Sequence, residues 1–252
     1  MKDLRGITAN RRLFSTIFIV PVVFTVVLPS IFVFTIHFTP DDEDLLELLS
    51  MLSQTMGAQN LELALVGLIL NYILPAFFLM IPIMASSIMA ASAFVGEKER
   101  HTLETLLYSP LTLRQIFVAK TLASFLLSMI VSVSSFAVML VVLETELKLL
   151  TGQFILPGAS WIVVMLLLSP ALALVAVTLI VRGSAKAKSV EESQQAAAFL
   201  VLPIVLLIGG QFSGLFLLNF WIMLALGVVL ALAAWVLLRR AVARFTYETV
   251  LK

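Results

Sequence analysis

The sequence predicts an all-α polytopic membrane protein with six transmembrane helices and a partly re-entrant hairpin between the fifth and sixth. Three observations predict it. Hydrophobic residues make up 61% of the 252 and charged residues only 12%, against roughly 45–50% and about 25% in soluble domains. The apolar residues gather into runs of the length a bilayer core demands, about 20 residues of helix. The lysines and arginines divide very unequally between alternate loops. The chain is therefore one six-span domain over 1–252, with spans near 13–36, 63–95, 117–143, 159–181, 190–208 and 215–238.

The first run, Leu13 to Ile36, follows Lys2, Arg5, Arg11 and Arg12, as a signal peptide would. Its 24 residues exceed the apolar region of a signal, about 7–15 residues, and His37-Phe38-Thr39-Pro40 offers no small-residue cleavage site. It reads as a retained span kinked at Pro21 or Pro29. After Asp41-Asp42-Glu43-Asp44 and a short Leu-rich segment comes a long second run, Leu63 to Val95, with Pro75 and Pro82 inside it. Tilt or a kink absorbs its excess length.

The third span is expected near Phe117 to Leu143, followed by a mixed loop from Glu144 to Gly158; the fourth, near Ala159 to Val181, contains Pro170. Ser124, Ser128, Ser132 and Ser135 recur at three- and four-residue steps along one face of the third span, where small residues let helices approach. The last apolar block, Ala196 to Leu238, must hold two crossings. Only Gly209-Gly210-Gln211-Phe212-Ser213-Gly214 interrupts it. The 13 residues from Ala196 to Ile208 are too few for a crossing unless the helix begins within Val190–Gln195, hence the expectation of a broken hairpin.

Charge sets the orientation. With both termini and the 96–120 and 182–195 loops in the cytosol, all of the 16 lysines and arginines except Lys148 lie inside. Eight acids (Asp41, Asp42, Glu43, Asp44, Glu47, Glu62, Glu144 and Glu146) lie outside. This is a strong positive-inside pattern; it predicts a multi-pass protein of the cell (inner, cytoplasmic) membrane with both termini cytosolic.

Several function classes are excluded or disfavoured. There are no cysteines and so no thiolate chemistry. No Gly-x-x-x-x-Gly-Lys-Ser/Thr loop is present to cradle ATP phosphates, no His-Glu-x-x-His and no Gly-x-Ser-x-Gly. No catalytic residue, metal ligand or bound cofactor is expected in this chain, and the reading is not an enzyme. Basic residues sit at span ends rather than on one face, so no nucleic-acid partner is expected. The predicted span interiors lack ionisable residues, which proton-coupled carriers usually place there. Asn71, Ser128, Ser132, Gln211 and Asn219 remain as possible pathway or packing groups.

The most informative stretch is Gly96 to Lys120, GEKERHTLETLLYSPLTLRQIFVAK. Glu97 to Tyr108 lacks Gly and Pro and is rich in helix formers. Leu103, Leu106 and Leu107 form one apolar stripe, Glu97 and Glu99 suit a helix N-terminus, and Ser109-Pro110 ends the segment. Gly96 is expected to free this short amphipathic helix from the preceding span. It either docks on a partner or lies in the headgroups; its acids outnumber its bases, which an anionic leaflet disfavours.

Glu97-x-Glu99-Arg100-x-Thr102-Leu103-Glu104-x-Leu106-Leu107-x-Ser109-Pro110, followed by Lys120 at the head of a span, resembles the signature of the type-2 ABC exporter permeases. The six-span layout is similar too. Val190-Glu191-Glu192-Ser193-Gln194-Gln195 more weakly resembles the sodium-efflux and drug-export branch. His101 stands where the family usually has glycine, and the outer segment is small. The resemblance implies a transmembrane subunit that exports a small or amphipathic substrate, driven by a separate ABC ATPase present in two copies. It implies a second permease, identical or related, in the same bilayer, with ATP and Mg held by the ATPase. The family's cytosolic coupling helix corresponds to about Glu97–Tyr108, so Glu97, Glu99, Arg100, Thr102, Leu103, Glu104, Leu106 and Leu107 are the expected ATPase-coupling residues. Met1–Arg12 corresponds to an interfacial helix that also meets the ATPase. The alternatives are an ion-gradient-driven secondary carrier and a non-transporting membrane sensor or immunity component.

Overall fold

The computed structural model describes residues 19–39, 43, 61–99, 112–184, 187, 189–213, 215 and 217–244. Among these there is no strand, and six helices are long and apolar enough to cross a membrane. They are α1 (Ile19–Phe38), α2 (Leu61–Glu97, its last turn running on to Glu99), α3 (Leu113–Leu150), α4 (Ser160–Ser184), α5 (Val190–Phe212) and α6 (Phe220–Arg244). The chain is a multi-pass membrane protein. The expected interfacial helix Met1–Arg12 and the Leu-rich segment before Asn60 fall outside the described residues.

α2 is the central helix. Its most apolar stretch is 83% buried, against 17% for α6 and 28% for α3, and it packs against α1, α3, α4 and α5. In lipid such burial brings no hydrophobic gain over the bilayer itself; packing and hydrogen bonds between helices decide the arrangement.

The expected proline kinks take a specific form. Three π-helical turns, Val23–Val27, Ile69–Ile73 and Val164–Leu168, each end just before an X-Pro pair: Leu28-Pro29, Leu74-Pro75 and Ser169-Pro170. A proline ring collides with the carbonyl four residues earlier and supplies no N–H to it. Widening the preceding turn makes room for the ring. In α2 the adjustment leaves backbone carbonyls for neighbours. Trp161 Nε1 on α4 donates to Leu70 O at 2.9 Å, and Gln211 Nε2 on α5 donates to Tyr72 O at 2.7 Å.

Two sequence expectations are corrected here. α3 is 38 residues long, about 57 Å, so Glu144, Glu146 and Lys148 belong to its outer turns and not to a loop. It opens on a capping box, with Gln115 N donating to Thr112 Oγ1 and Thr112 N donating to Gln115 Oε1. It stops at Gly152, whose φ of +71° is the left-handed geometry of a helix terminus. The second correction concerns the last hairpin. α5 starts at Val190, capped by Ser189, and Gly209 and Gly210 are helical rather than a turn. Its 23 residues, about 35 Å, begin where the expected span 190–208 begins and run four residues further, so the two glycines belong to the helix and not to the turn. A short connection, 213–219, leads into α6, where Asn219 Oδ1 accepts from Ile222 N at 3.0 Å.

The core has two storeys. A large cluster around Leu65, Ile73, Phe78, Leu147, Trp161 and Leu168 occupies the end bearing the acids. A smaller one around Ile88, Val95, Phe117, Ile180 and Val190 occupies the end bearing the bases. Between them along α2 and α3 lie fully buried hydroxyls: Ser86 and Ser87 on α2, and Ser124, Ser128 and Ser132 on α3. Lys120 Nζ of α3 donates to Ala93 O of α2 at 2.6 Å. Counting about seven residues from that contact along each antiparallel helix brings Ser86 and Ser87 level with Ser128.

Candidate functional site

The site is the root of the 100–111 segment, where α2 ends and α3 begins. α2 runs through Gly96 without a break, contrary to the expectation that Gly96 separates span from cytosolic helix. A Cβ added at Gly96 would lie 3.6 Å from Val190 Cγ2, an ordinary van der Waals contact, so the end of α2 passes beside the start of α5.

Lys120 sits in the early turns of α3 and reaches back to α2. Its ammonium forms an ion pair with Glu97, both side chains being largely buried. It donates to Ala93 O, and it lies 5.5 Å from the centre of the Phe94 ring. Phe94 in turn packs edge-on against Phe117 of α3 at 5.8 Å. Burying an ammonium is favourable only with such a full set of partners.

Glu99, at the very end of α2 and about one turn beyond Gly96, supplies a second tie: Val190 N donates to Glu99 Oε2 at 3.2 Å. A carboxylate at a helix N-terminus satisfies a free N–H and meets the positive end of the helix dipole. The first turn of α5 thus has two caps, Ser189 from its own chain segment and Glu99 from α2. The ends of α2, α3 and α5 are joined within one small volume.

Glu97 and Glu99, expected as contacts to a partner, therefore bond within this chain. Arg100, Thr102, Leu103, Glu104, Leu106 and Leu107 lie outside the described residues, as does most of the expected coupling helix. The tie to α5 was not legible in the sequence, because its two ends are separated by 91 positions. The only hint was Ser189 followed by Glu192, a helix-start signature.

The structure scatters the other polar candidates. Asn71 donates to Gly67 O at 2.9 Å and accepts from Gly158 N at 2.6 Å, so it joins α2 to the approach to α4. Ser128 and Ser132 bond back to carbonyls of their own helix, Phe125 O and Ser128 O. Gln211 is fully buried and bonded through Nε2 to α2, with no partner for Oε1 among the described residues. Asn219 caps α6. At the acidic end, His37 Nδ1 and Glu62 Oε1 are 2.8 Å apart, and Ser30 Oγ donates to Glu146 Oε1 at 2.5 Å. Among the described residues no group of His, Asp and Glu could hold a metal ion. The described residues of the root tie three helices together.

No curated protein and no solved structure matches the chain. The family described as ABC-2 family transporter protein matches residues 53–226, a stretch that contains the whole root and α2 to α5. Since that match spans well over half of the sequence, the chain belongs to the ABC-2 transporter family and is a membrane permease component of that class.

Proposed function

We propose that this chain is the transmembrane subunit of an ATP-driven exporter. It works with a separate ABC ATPase, two copies of each forming the transporter, in the cytoplasmic membrane with both termini in the cytosol. ATP and Mg bind the ATPase subunits. The observation that carries this reading is the joint at the root of 97–120, which ties the segment bearing the family motif to three helices at once.

ATP binding closes the ATPase pair and displaces the docked segment around 100–111. Lys120 makes the end of α2 and the start of α3 move as one body, and Glu99 carries the motion to α5. The substrate is exported because the two conformations bind it differently. Its chemistry is that of a small or amphipathic molecule, in keeping with an interior of apolar and hydroxyl side chains. The Val190–Gln195 resemblance supports the sodium-efflux or drug-export branch.

The test is reconstitution with an ABC ATPase subunit. Glu99→Gln and Glu104→Lys are expected to leave membrane insertion intact and to lower ATP-dependent transport. Full transport by both variants would remove the coupling role of this segment. One observation favours a second reading. Glu146 lies on the outer turns of α3 bonded to Ser30 of α1 and not in a loop, and a carboxylate held between helices is a group that an ion-coupled carrier can use. Gradient-driven transport by the chain alone in liposomes, abolished by Glu146→Gln, would establish that reading instead.

A further inference from the structure

We infer that the ends of α4 and α6 form a binding site for the headgroup of an anionic phospholipid. Arg182 stands in the last turns of α4 and Arg239 and Arg240 in those of α6, and all three are exposed. Arg182 Nη2 lies 3.5 Å from Leu237 O, which sets the end of α4 level with the last turns of α6, the turns that carry Arg239 and Arg240. Arg239 stacks on Trp235, its guanidinium carbon 4.1 Å from the ring centre. Among the described residues no carboxylate pairs with any of the three, in contrast to Lys120 at the same end of the bundle.

The charges continue into apolar surface. Leu179, one turn before Arg182, is exposed, as are Leu232, Trp235 and Val236 before Arg239. That sequence of surfaces, guanidinium over an indole over aliphatic side chains, matches a phosphate headgroup over acyl chains. Trp and Arg are the residues that prefer this depth, and a guanidinium grips phosphate oxygens in pairs. A soluble anionic partner would use the arginines and leave the apolar flank without a role. The site depends only on the membrane placement of the helices and is independent of ATP coupling.

The experiment is lipid retention by the full chain, purified from vesicles of phosphatidylcholine with one-fifth phosphatidylglycerol, with bound lipid measured by mass spectrometry. Wild-type protein is expected to enrich phosphatidylglycerol over its share in the vesicle. Arg182→Gln, Arg239→Gln and Arg240→Gln should each reduce that enrichment by about fivefold, while Lys148→Gln at the opposite end leaves it unchanged. Enrichment that survives in the double variant Arg182→Gln/Arg240→Gln, or its absence in the wild type, would overturn the site. So would complete displacement by inorganic phosphate at equal concentration, which would reduce it to a bare anion site.

Discussion

Lys120 and Glu97 allow a quantitative test of the joint between α2 and α3. Exposed ion pairs contribute about 0–1 kcal/mol, whereas removing one partner of a buried pair costs about 3–5 kcal/mol. The Lys120 and Glu97 side chains are 12% and 16% exposed, which places the pair near the buried regime. Lys120→Met strips the cation from Glu97 and the donor from Ala93 O together, for an expected loss of about 3 kcal/mol. Glu97→Gln should cost less, about 1–2 kcal/mol, because Lys120 keeps Ala93 O and the Phe94 ring. The double variant Glu97→Gln/Lys120→Met then falls short of additivity by about 1–2 kcal/mol. Equilibrium unfolding in mixed micelles, followed by tryptophan fluorescence, measures all three. Additive losses, or a Lys120→Met variant as stable as wild type, would refute the claim that this pair binds the two helices.

The other predictions probe the packing around α2 and α4. A Cβ at Gly227 would sit 2.6 Å from Leu167 Cδ2, so Gly227→Val should destabilise by about 1–3 kcal/mol, with Leu167→Ala restoring part of the loss in the same unfolding assay. Trp161→Phe keeps the ring but leaves Leu70 O without its donor, an expected cost of about 1–2 kcal/mol. Asn71→Ala should cost about as much, because the Gly158 N–H loses its acceptor. Gln211→Met is expected to be nearly neutral, since the lost bond to Tyr72 O is offset by removing an acceptor that has no partner among the described residues. A large loss there would mean that the amide has a further partner.

Much of the fold could be read from apolar periodicity, because a bilayer forces each span to satisfy its backbone internally. Span boundaries were less legible where polar residues continue a helix. Glu144, Glu146 and Lys148 look like loop residues, yet they prolong α3, because a helix that emerges from the membrane keeps its hydrogen bonds. At the start of α5 the expected boundary, 190, agrees with the helix observed from Val190, because a full crossing needed the polar Val190–Gln195 stretch. At the candidate site, Glu97, Glu99 and Lys120 stood out by type and spacing. What they touch did not, because contacts such as Glu99 to Val190 depend on how helices far apart in the chain come together. Gly96 misled for a simpler reason: glycine permits a break in a helix but does not impose one, and α2 continues through it to Glu99.

The buried serines at mid-height of α2 and α3 bear on how closely the two helices approach. A serine presents a single heavy atom beyond Cβ, so it offers nothing to interlock with a facing helix. Ser86, Ser128 and Ser132 return their hydroxyls to their own backbones and require no fixed partner across the seam. Small side chains of this kind let two helices approach closely, and the layer lies about two turns from the Glu97–Lys120 joint. Close approach at mid-height and the ion pair at the end therefore act in the same direction, holding α2 and α3 side by side.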